Sequence, residues 1–126
     1  MMREVRFIMM LEAMTFFAAA AIHAGLLVDG YQHREARIAE SVIGAVLLAG
    51  AVAASINQRW TRPAGLIAQG FALVGTLVGI TTIAIGIGPR TFTDIIYHIL
   101  IVFVLVYGLV AARATNPRSP IPNLWR

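Results

Sequence analysis

The 126-residue sequence contains no cysteine and no lysine, and only 13% of its residues are charged. The lack of cysteine excludes disulfide bonds, thiolate metal sites, iron–sulfur clusters and covalently attached haem. Soluble domains have about 25% charged residues, so the low charge argues against a water-soluble globular domain. Intrinsic disorder is excluded as well, because it requires low hydrophobicity and high charge.

Apolar residues make up 59% of the chain, and the mean hydropathy is +0.78. They fall into four long stretches, and a helix of about 20 apolar residues spans the hydrocarbon core of a lipid bilayer. Short polar breaks separate the stretches, which predicts antiparallel neighbours. We therefore predict an all-α fold, an integral membrane four-helix bundle with up-down-up-down order within residues 1–114. The predicted helices cover residues 5–28, 36–56, 64–88 and 95–112, and three prolines keep the tail, 115–126, from continuing the last helix.

All ten basic residues are arginines, and they lie at segment ends. They form no basic patch, so we predict no binding to nucleic acid. Seven arginines fall on the side of the two termini and three on the opposite side. The positive-inside rule therefore predicts that both termini and the Pro-rich tail are cytoplasmic, with Tyr31 and Tyr97 in the aromatic belt of the opposite interface. Exclusive use of arginine suggests a GC-rich genome, and we predict location in the bacterial inner (plasma) membrane.

Ionisable side chains inside membrane-spanning segments are costly and are functional candidates by default. His23, Glu40 and His98 all lie about 5–7 Å below the predicted non-cytoplasmic interface, because a helix rises by a constant distance per residue. Asp94 shares a helix face with His98, and His33 shares one with Glu40. We therefore predict a single polar pocket near the outer end of the bundle.

Three chemistries fit this pocket. Imidazole and carboxylate groups suit copper, iron or zinc, and the predicted metal ligands are His23, His33, Glu40, Asp94 and His98. Haem b is the second alternative, with His23 and His98 as cofactor-binding residues on opposite sides of the macrocycle. A proton relay is the third. Glu12 is its predicted inner station, on the same face of the first helix as His23 and about 16 Å closer to the cytoplasm.

The spacing Asp94-x-x-x-His98 resembles part of a copper-ligand motif in the membrane subunits of methane and ammonia monooxygenases. The resemblance covers five residues, and the second spaced histidine of that motif has no counterpart after His98. We carry no function over from it. The sequence also contains no nucleophile elbow, phosphate-binding loop or dinucleotide fingerprint, so no soluble catalytic mechanism is predicted and enzymatic activity stays open.

A rival interpretation is an accessory or scaffold subunit of a larger membrane complex, in which the polar residues form a purely structural network. Asp94 is then the N-cap of the last helix, and His33 is a solvated loop residue. Gly75 and Gly79 form a G-x-x-x-G spacing that lets helix backbones approach closely. This spacing predicts either tight packing within the bundle or contact with a second copy or a larger complex in the lipid bilayer.

Overall fold

The computed structural model describes residues 1–115, which fold into four long helices. Within that range there is no strand, and each long helix is apolar enough to cross a membrane. The all-α prediction is therefore confirmed, whereas the predicted tail lies outside the described residues beyond Thr115. The helices are α1 (Met2–His23), α2 (Arg34–Ile56), α3 (Thr61–Ala84) and α4 (Phe92–Ala114), with a short 3-10 turn at Gln58–Trp60 before α3.

Large apolar side chains cover the outer surface of the bundle. Phe7, Met14, Val74, Phe103 and Val110 are each between 60% and 70% exposed. Soluble monomers rarely expose contiguous apolar surface on this scale, but lipid tails solvate it, and the helices satisfy their own backbone hydrogen bonds. The surface and the helix lengths together indicate an integral membrane protein.

Small residues bring the helix backbones close together inside the bundle. A Cβ atom built on Gly50 of α2 would lie 2.8 Å from the Cβ of Ala68 in α3. The same distance separates a Cβ on Gly65 of α3 from that of Ala112 in α4. Larger residues at these glycines would push the helices apart. The largest apolar side chains that are fully buried in this core are Val5, Met9, Leu47 and Leu105.

The two glycines of the G-x-x-x-G spacing pack within the bundle. A Cβ on Gly75 would lie 2.9 Å from Ile43 Cδ1, and a Cβ on Gly79 would lie 3.3 Å from His98 Nε2. Gly70, in contrast, has open space around its Cβ position. Gly75 and Gly79 therefore serve packing inside the bundle. Contact of α3 with a second copy or a larger complex stays a prediction.

Two helices end earlier than their hydrophobic runs predict. α1 ends at His23 rather than near residue 28, because Gly25 adopts a φ of +76°. A Schellman motif closes the helix there, in which Leu26 N–H donates to the carbonyl of Ala21 at 3.0 Å. α3 ends in the same way before Gly86, whose φ is +82°, rather than near residue 88. Glycine adopts this left-handed conformation without steric cost, so the apolar residues beyond each glycine belong to loops.

The starts of α2 and α4 are fixed by side-chain caps, and both helices begin slightly earlier than predicted. His33 is the N-cap of α2, where its Nδ1 accepts a hydrogen bond from Ala36 N–H at 3.2 Å. The N-cap of α4 is Thr91, and Asp94 completes a capping box with it from the third helical position. His33 thus lies in the loop as the solvated-loop interpretation predicts, but it is partly buried and caps α2. The interpretation of Asp94 as the N-cap itself is wrong, because Thr91 holds that position.

Candidate functional site

The imidazole of His23 lies between two carboxylates from two other helices. Its Nδ1 is 2.7 Å from Glu40 Oε2 of α2, and its Nε2 is 3.4 Å from Asp94 Oδ1 of α4. The first contact is a hydrogen bond, whereas the second is an ion-pair contact without hydrogen-bond geometry. All three side chains are buried, with 4%, 6% and 8% of their surface exposed, respectively. The structure thus brings these three predicted site residues together, and we call them the His23 cluster.

The loop between α1 and α2 holds the cluster in place. His23 is the last residue of α1, and its carbonyl accepts a hydrogen bond from His33 N–H at 3.0 Å. Gly25 in this loop has a φ of +76°, a conformation that residues with a side chain rarely adopt, so closure of the loop there depends on glycine. This closure sets the start of α2 beside the end of α1, and Glu40 in the second turn of α2 then reaches the imidazole.

The carboxylate of Asp94 is oriented by its own helix terminus. Its Oδ2 accepts hydrogen bonds from Thr91 N–H at 3.0 Å and from the Thr91 hydroxyl at 2.5 Å. Asp94 N–H donates in return to Thr91 Oγ1 at 3.1 Å. The capping box therefore uses one carboxylate oxygen and leaves Oδ1 facing His23.

The other two histidines lie beside the His23 cluster. His98 Nδ1 is 2.7 Å from the carbonyl of Asp94, and since a carbonyl only accepts, this nitrogen carries the hydrogen. The other ring nitrogen of His98 faces Gly79 of α3. The His33 ring is edge-on to that of His23, with 6.4 Å between ring centroids. Neither histidine forms a hydrogen bond to a side chain of the cluster within residues 1–115.

The predicted metal and haem sites find no support in this arrangement. Within the described residues, no group of three or more histidine, aspartate or glutamate side chains could hold a metal ion. Both ring nitrogens of His23 face carboxylates, and His23 and His98 line different cavities. The two histidines therefore do not fit a shared haem. The set proposed as metal ligands, His23, His33, Glu40, Asp94 and His98, comes together only in part.

Glu12 lies deeper in the bundle, with 1% of its surface exposed. Its Oε2 accepts a hydrogen bond from Gln69 Nε2 of α3 at 2.7 Å. Gln69 packs against α4 at Gly108, where any Cβ would overlap the Gln69 amide. Oε1 of Glu12 and Oε1 of Gln69 are both buried and have no hydrogen-bond partner in the part of the chain described.

Tyr97 lies between the level of Glu12 and that of the His23 cluster. The sequence predicted Tyr97 in the interfacial aromatic belt, but its ring packs edge-to-face on Phe16, with 6.2 Å between ring centroids. The hydroxyl is buried beside the Thr15 side chain, makes no hydrogen bond of good geometry among the described residues, and lies within electrostatic reach of Glu40 and Glu12. The belt prediction is therefore wrong for this residue.

Sequence reasoning missed Tyr97 as a member of the polar interior. It indicated that Gln69 can hydrogen-bond between helices but missed its pairing with Glu12, although each residue left a signal. Tyr97 is three residues beyond Asp94 on the same helix face. Gln69 is the only amide side chain in the third apolar stretch, 64–88. Gly108 left no such signal in the sequence, because its role is to make room for the Gln69 side chain, which comes from another helix.

Two cavities border the His23 cluster. A groove of about 380 Å³ runs between α1 and α4 and is lined by His23 and Asp94, among others. A second cavity of about 190 Å³ lies among α2, α3 and α4, reaches the α3–α4 loop, and is lined by Glu40 and His98. We call them the α1–α4 groove and the loop cavity. The His23–Glu40 hydrogen bond therefore connects the wall of the α1–α4 groove to the wall of the loop cavity.

An imidazole can accept a proton at one nitrogen and donate one from the other, and the two ring nitrogens of His23 face carboxylates on two other helices. No protein-family model, curated protein sequence or solved structure matches this chain. The function must therefore rest on the geometry of the cluster and the groups around it.

Proposed function

We propose that this protein transfers protons between an aqueous opening at one end of the bundle and the bundle interior, with His23 as the central group. The supporting observation is the position of His23 between two buried carboxylates on different helices. Ionisable groups that pair inside membrane proteins commonly form proton relays. The imidazole can pass a proton from one carboxylate to the other while its ring stays in place.

The loop cavity supplies the aqueous side of this path. Glu40 lines the cavity, together with His33 and Glu35 at its outer rim. The Glu35 side chain is 79% exposed, so the rim is open to water. A proton arriving there reaches Glu40 first, and the hydrogen bond from Glu40 leads to His23.

Tyr97 and Glu12 continue the path into the bundle. The hydroxyl of Tyr97 can both accept and donate, and it lies within electrostatic reach of Glu40 and Glu12. A hydrogen on Glu12 Oε1 would supply the donor that Gln69 Oε1 lacks, and the acid and the amide would then form two complementary hydrogen bonds. This arrangement supports the predicted role of Glu12 as the inner relay station.

Two contacts between helix ends support the up-down-up-down order of the bundle. Tyr107 O–H donates to Glu4 Oε1 at 2.5 Å, which joins the end of α4 to the start of α1. The contact between His23 and Asp94 joins the opposite ends of the same helices. The arginine distribution favours cytoplasmic termini, with the His23 cluster toward the outer face of a bacterial inner (plasma) membrane.

The test follows exchange of the Glu12 proton by infrared spectroscopy of the full chain in lipid. The carboxylic C=O band that disappears in Glu12→Gln is assigned to Glu12, and its shift after transfer to D₂O reports exchange with bulk water. We expect exchange to slow by at least about tenfold in His23→Gln and in Glu40→Gln, which corresponds to about 1.4 kcal/mol of added barrier.

Glu4→Gln is the matched control, because it makes the same change on α1 at an exposed position at the opposite end. Exchange in this control should equal that of the unaltered chain. Equal exchange rates in all variants, or the absence of any Glu12 band, would overturn the proposal. Either result would favour the accessory or scaffold subunit, in which the polar groups only hold the helices together.

A further inference from the structure

The α1–α4 groove has the dimensions of a small-molecule site. Its volume of about 380 Å³ falls in the lower part of the range of such sites, about 300–1,000 Å³. The walls are mostly apolar, and α1 contributes the small side chains of Ala18 and Ala19. The groove is partly open between two helices whose outer surfaces face lipid, so an apolar molecule can reach it from the bilayer.

Two buried polar groups of residues that line the groove make no hydrogen bond of good geometry within residues 1–115. They are the hydroxyl of Tyr97, which lies beside the Thr15 side chain, and Nε2 of His23, which is 3.4 Å from Asp94 Oδ1. The His23 side chain is 96% buried, since only 4% of its surface is exposed. Native proteins leave few buried polar groups without a well-formed hydrogen bond, so these two groups keep hydrogen-bonding capacity for a molecule in the groove.

We propose that the α1–α4 groove binds the ring of a lipid-soluble quinone, with a ring carbonyl oxygen placed against Tyr97 and His23. The carbonyl oxygen has two lone pairs. It can accept a hydrogen bond from the Tyr97 hydroxyl and a second from Nε2 of a protonated His23. Because both groups are buried, binding requires a small rotation of the Tyr97 side chain. This site goes beyond the proton transfer proposed above and does not depend on it.

The chemistry of the groove selects among the occupants available in a membrane. A phospholipid acyl chain matches the apolar walls but leaves Tyr97 and His23 without partners. A water-soluble metabolite matches these two groups but not the walls. A quinone has both a lipid-soluble body and carbonyl oxygens, and the aromatic rings of Tyr31 and Tyr97 along the groove favour a flat ring.

The site is tested by photo-crosslinking the full chain in lipid nanodiscs with an azido-substituted naphthoquinone. Labelled peptides are mapped by mass spectrometry. We expect labels within residues 15–23 of α1 and 93–97 of α4, suppressed by excess menadione but not by excess oleic acid. Labels spread over the lipid-facing surfaces of all four helices, or equal suppression by oleic acid, would show a lipid-filled groove and overturn the proposal.

Two variants with matched controls test the groove itself. Ala18→Leu fills the groove from an exposed helix position and should reduce labelling by about tenfold or more. Ala45→Leu, at an exposed position of α2, should not reduce it. Tyr97→Phe should weaken competition by menadione about threefold to tenfold, as expected for one neutral hydrogen bond, while Tyr107→Phe at the other end of α4 should leave it unchanged. Unaltered labelling in Ala18→Leu, or equal effects of the two tyrosine variants, would also overturn the proposal.

Discussion

His23 Nδ1 and Glu40 Oε2 lie 2.7 Å apart inside the bundle, on two helices whose connecting loop is closed by the backbone of the same histidine. The backbone carbonyl of His23 accepts a hydrogen bond from His33 in the loop, and its imidazole ring is hydrogen-bonded to the Glu40 carboxylate. Both side chains are buried. Removal of His23 leaves the Glu40 carboxylate without its hydrogen bond, and removal of Glu40 leaves His23 with only the 3.4 Å contact to Asp94 in an apolar interior. The pair therefore couples the local structure at the end of α1 to the geometry of the His23 cluster.

We expect His23→Leu and Glu40→Leu each to lower the free energy of unfolding by about 3–5 kcal/mol, because each leaves an unpaired buried group. The double variant should lose less than the sum of the two, since it removes both partners at once. Unfolding in mixed detergent micelles measures all three variants. Glu35→Leu, at a position that is 79% exposed on the same helix, is the control and should change stability by at most about 0.5 kcal/mol. Additive losses in the double variant would contradict the coupling.

Gly108 of α4 should tolerate a side chain poorly, because the Gln69 amide that its Cβ would meet is held by a hydrogen bond to Glu12. A Cβ there would lie 2.7 Å from Cδ of Gln69, so we expect Gly108→Ala to lower the free energy of unfolding by about 1–3 kcal/mol through overpacking. Gly70→Ala is the matched control. Nothing lies within 4 Å of its Cβ position, and alanine has the higher helix propensity by about 1 kcal/mol.

The same unfolding measurement in a Gln69→Ala background separates overpacking from other effects. Removal of the Gln69 amide makes room for the new methyl group, so Gly108→Ala should cost much less there. An equal cost in both backgrounds would show that the contact between Gly108 and Gln69 is not the cause.

The proposed orientation of the bundle in the membrane can be measured by labelling introduced cysteines, because the chain has no native cysteine. Single cysteines are introduced as Asp29→Cys, Arg90→Cys and Gln58→Cys, all at exposed loop positions. We expect a membrane-impermeant maleimide to label the first two in intact spheroplasts, and the third only after permeabilisation. The reverse pattern would place the termini outside, and a pattern in which Asp29 and Arg90 differ would contradict the up-down-up-down order.

Depth along a helix was predictable from sequence, but the contact partners were not. The constant rise of a helix correctly placed His23 and Glu40 at one level. It could not show that His23 contacts Glu40 and Asp94 while His98 turns toward Gly79. Hydrophobic runs also overestimated two helices, because Gly25 and Gly86 stop them through backbone conformation rather than through polarity.

Composition and hydropathy alone predict four helices that are long and apolar enough to cross a membrane, because only segments that satisfy their own backbone hydrogen bonds cross a bilayer as single elements. Packing alone assigns partners: Glu40 and Asp94 to His23, Gln69 to Glu12, and a buried place to the hydroxyl of Tyr97. The reason lies in the rotation of each helix about its own axis. Helices that are apolar on nearly every side carry little pattern to encode that rotation, and close contacts at residues such as Gly65 and Gly108 set it instead.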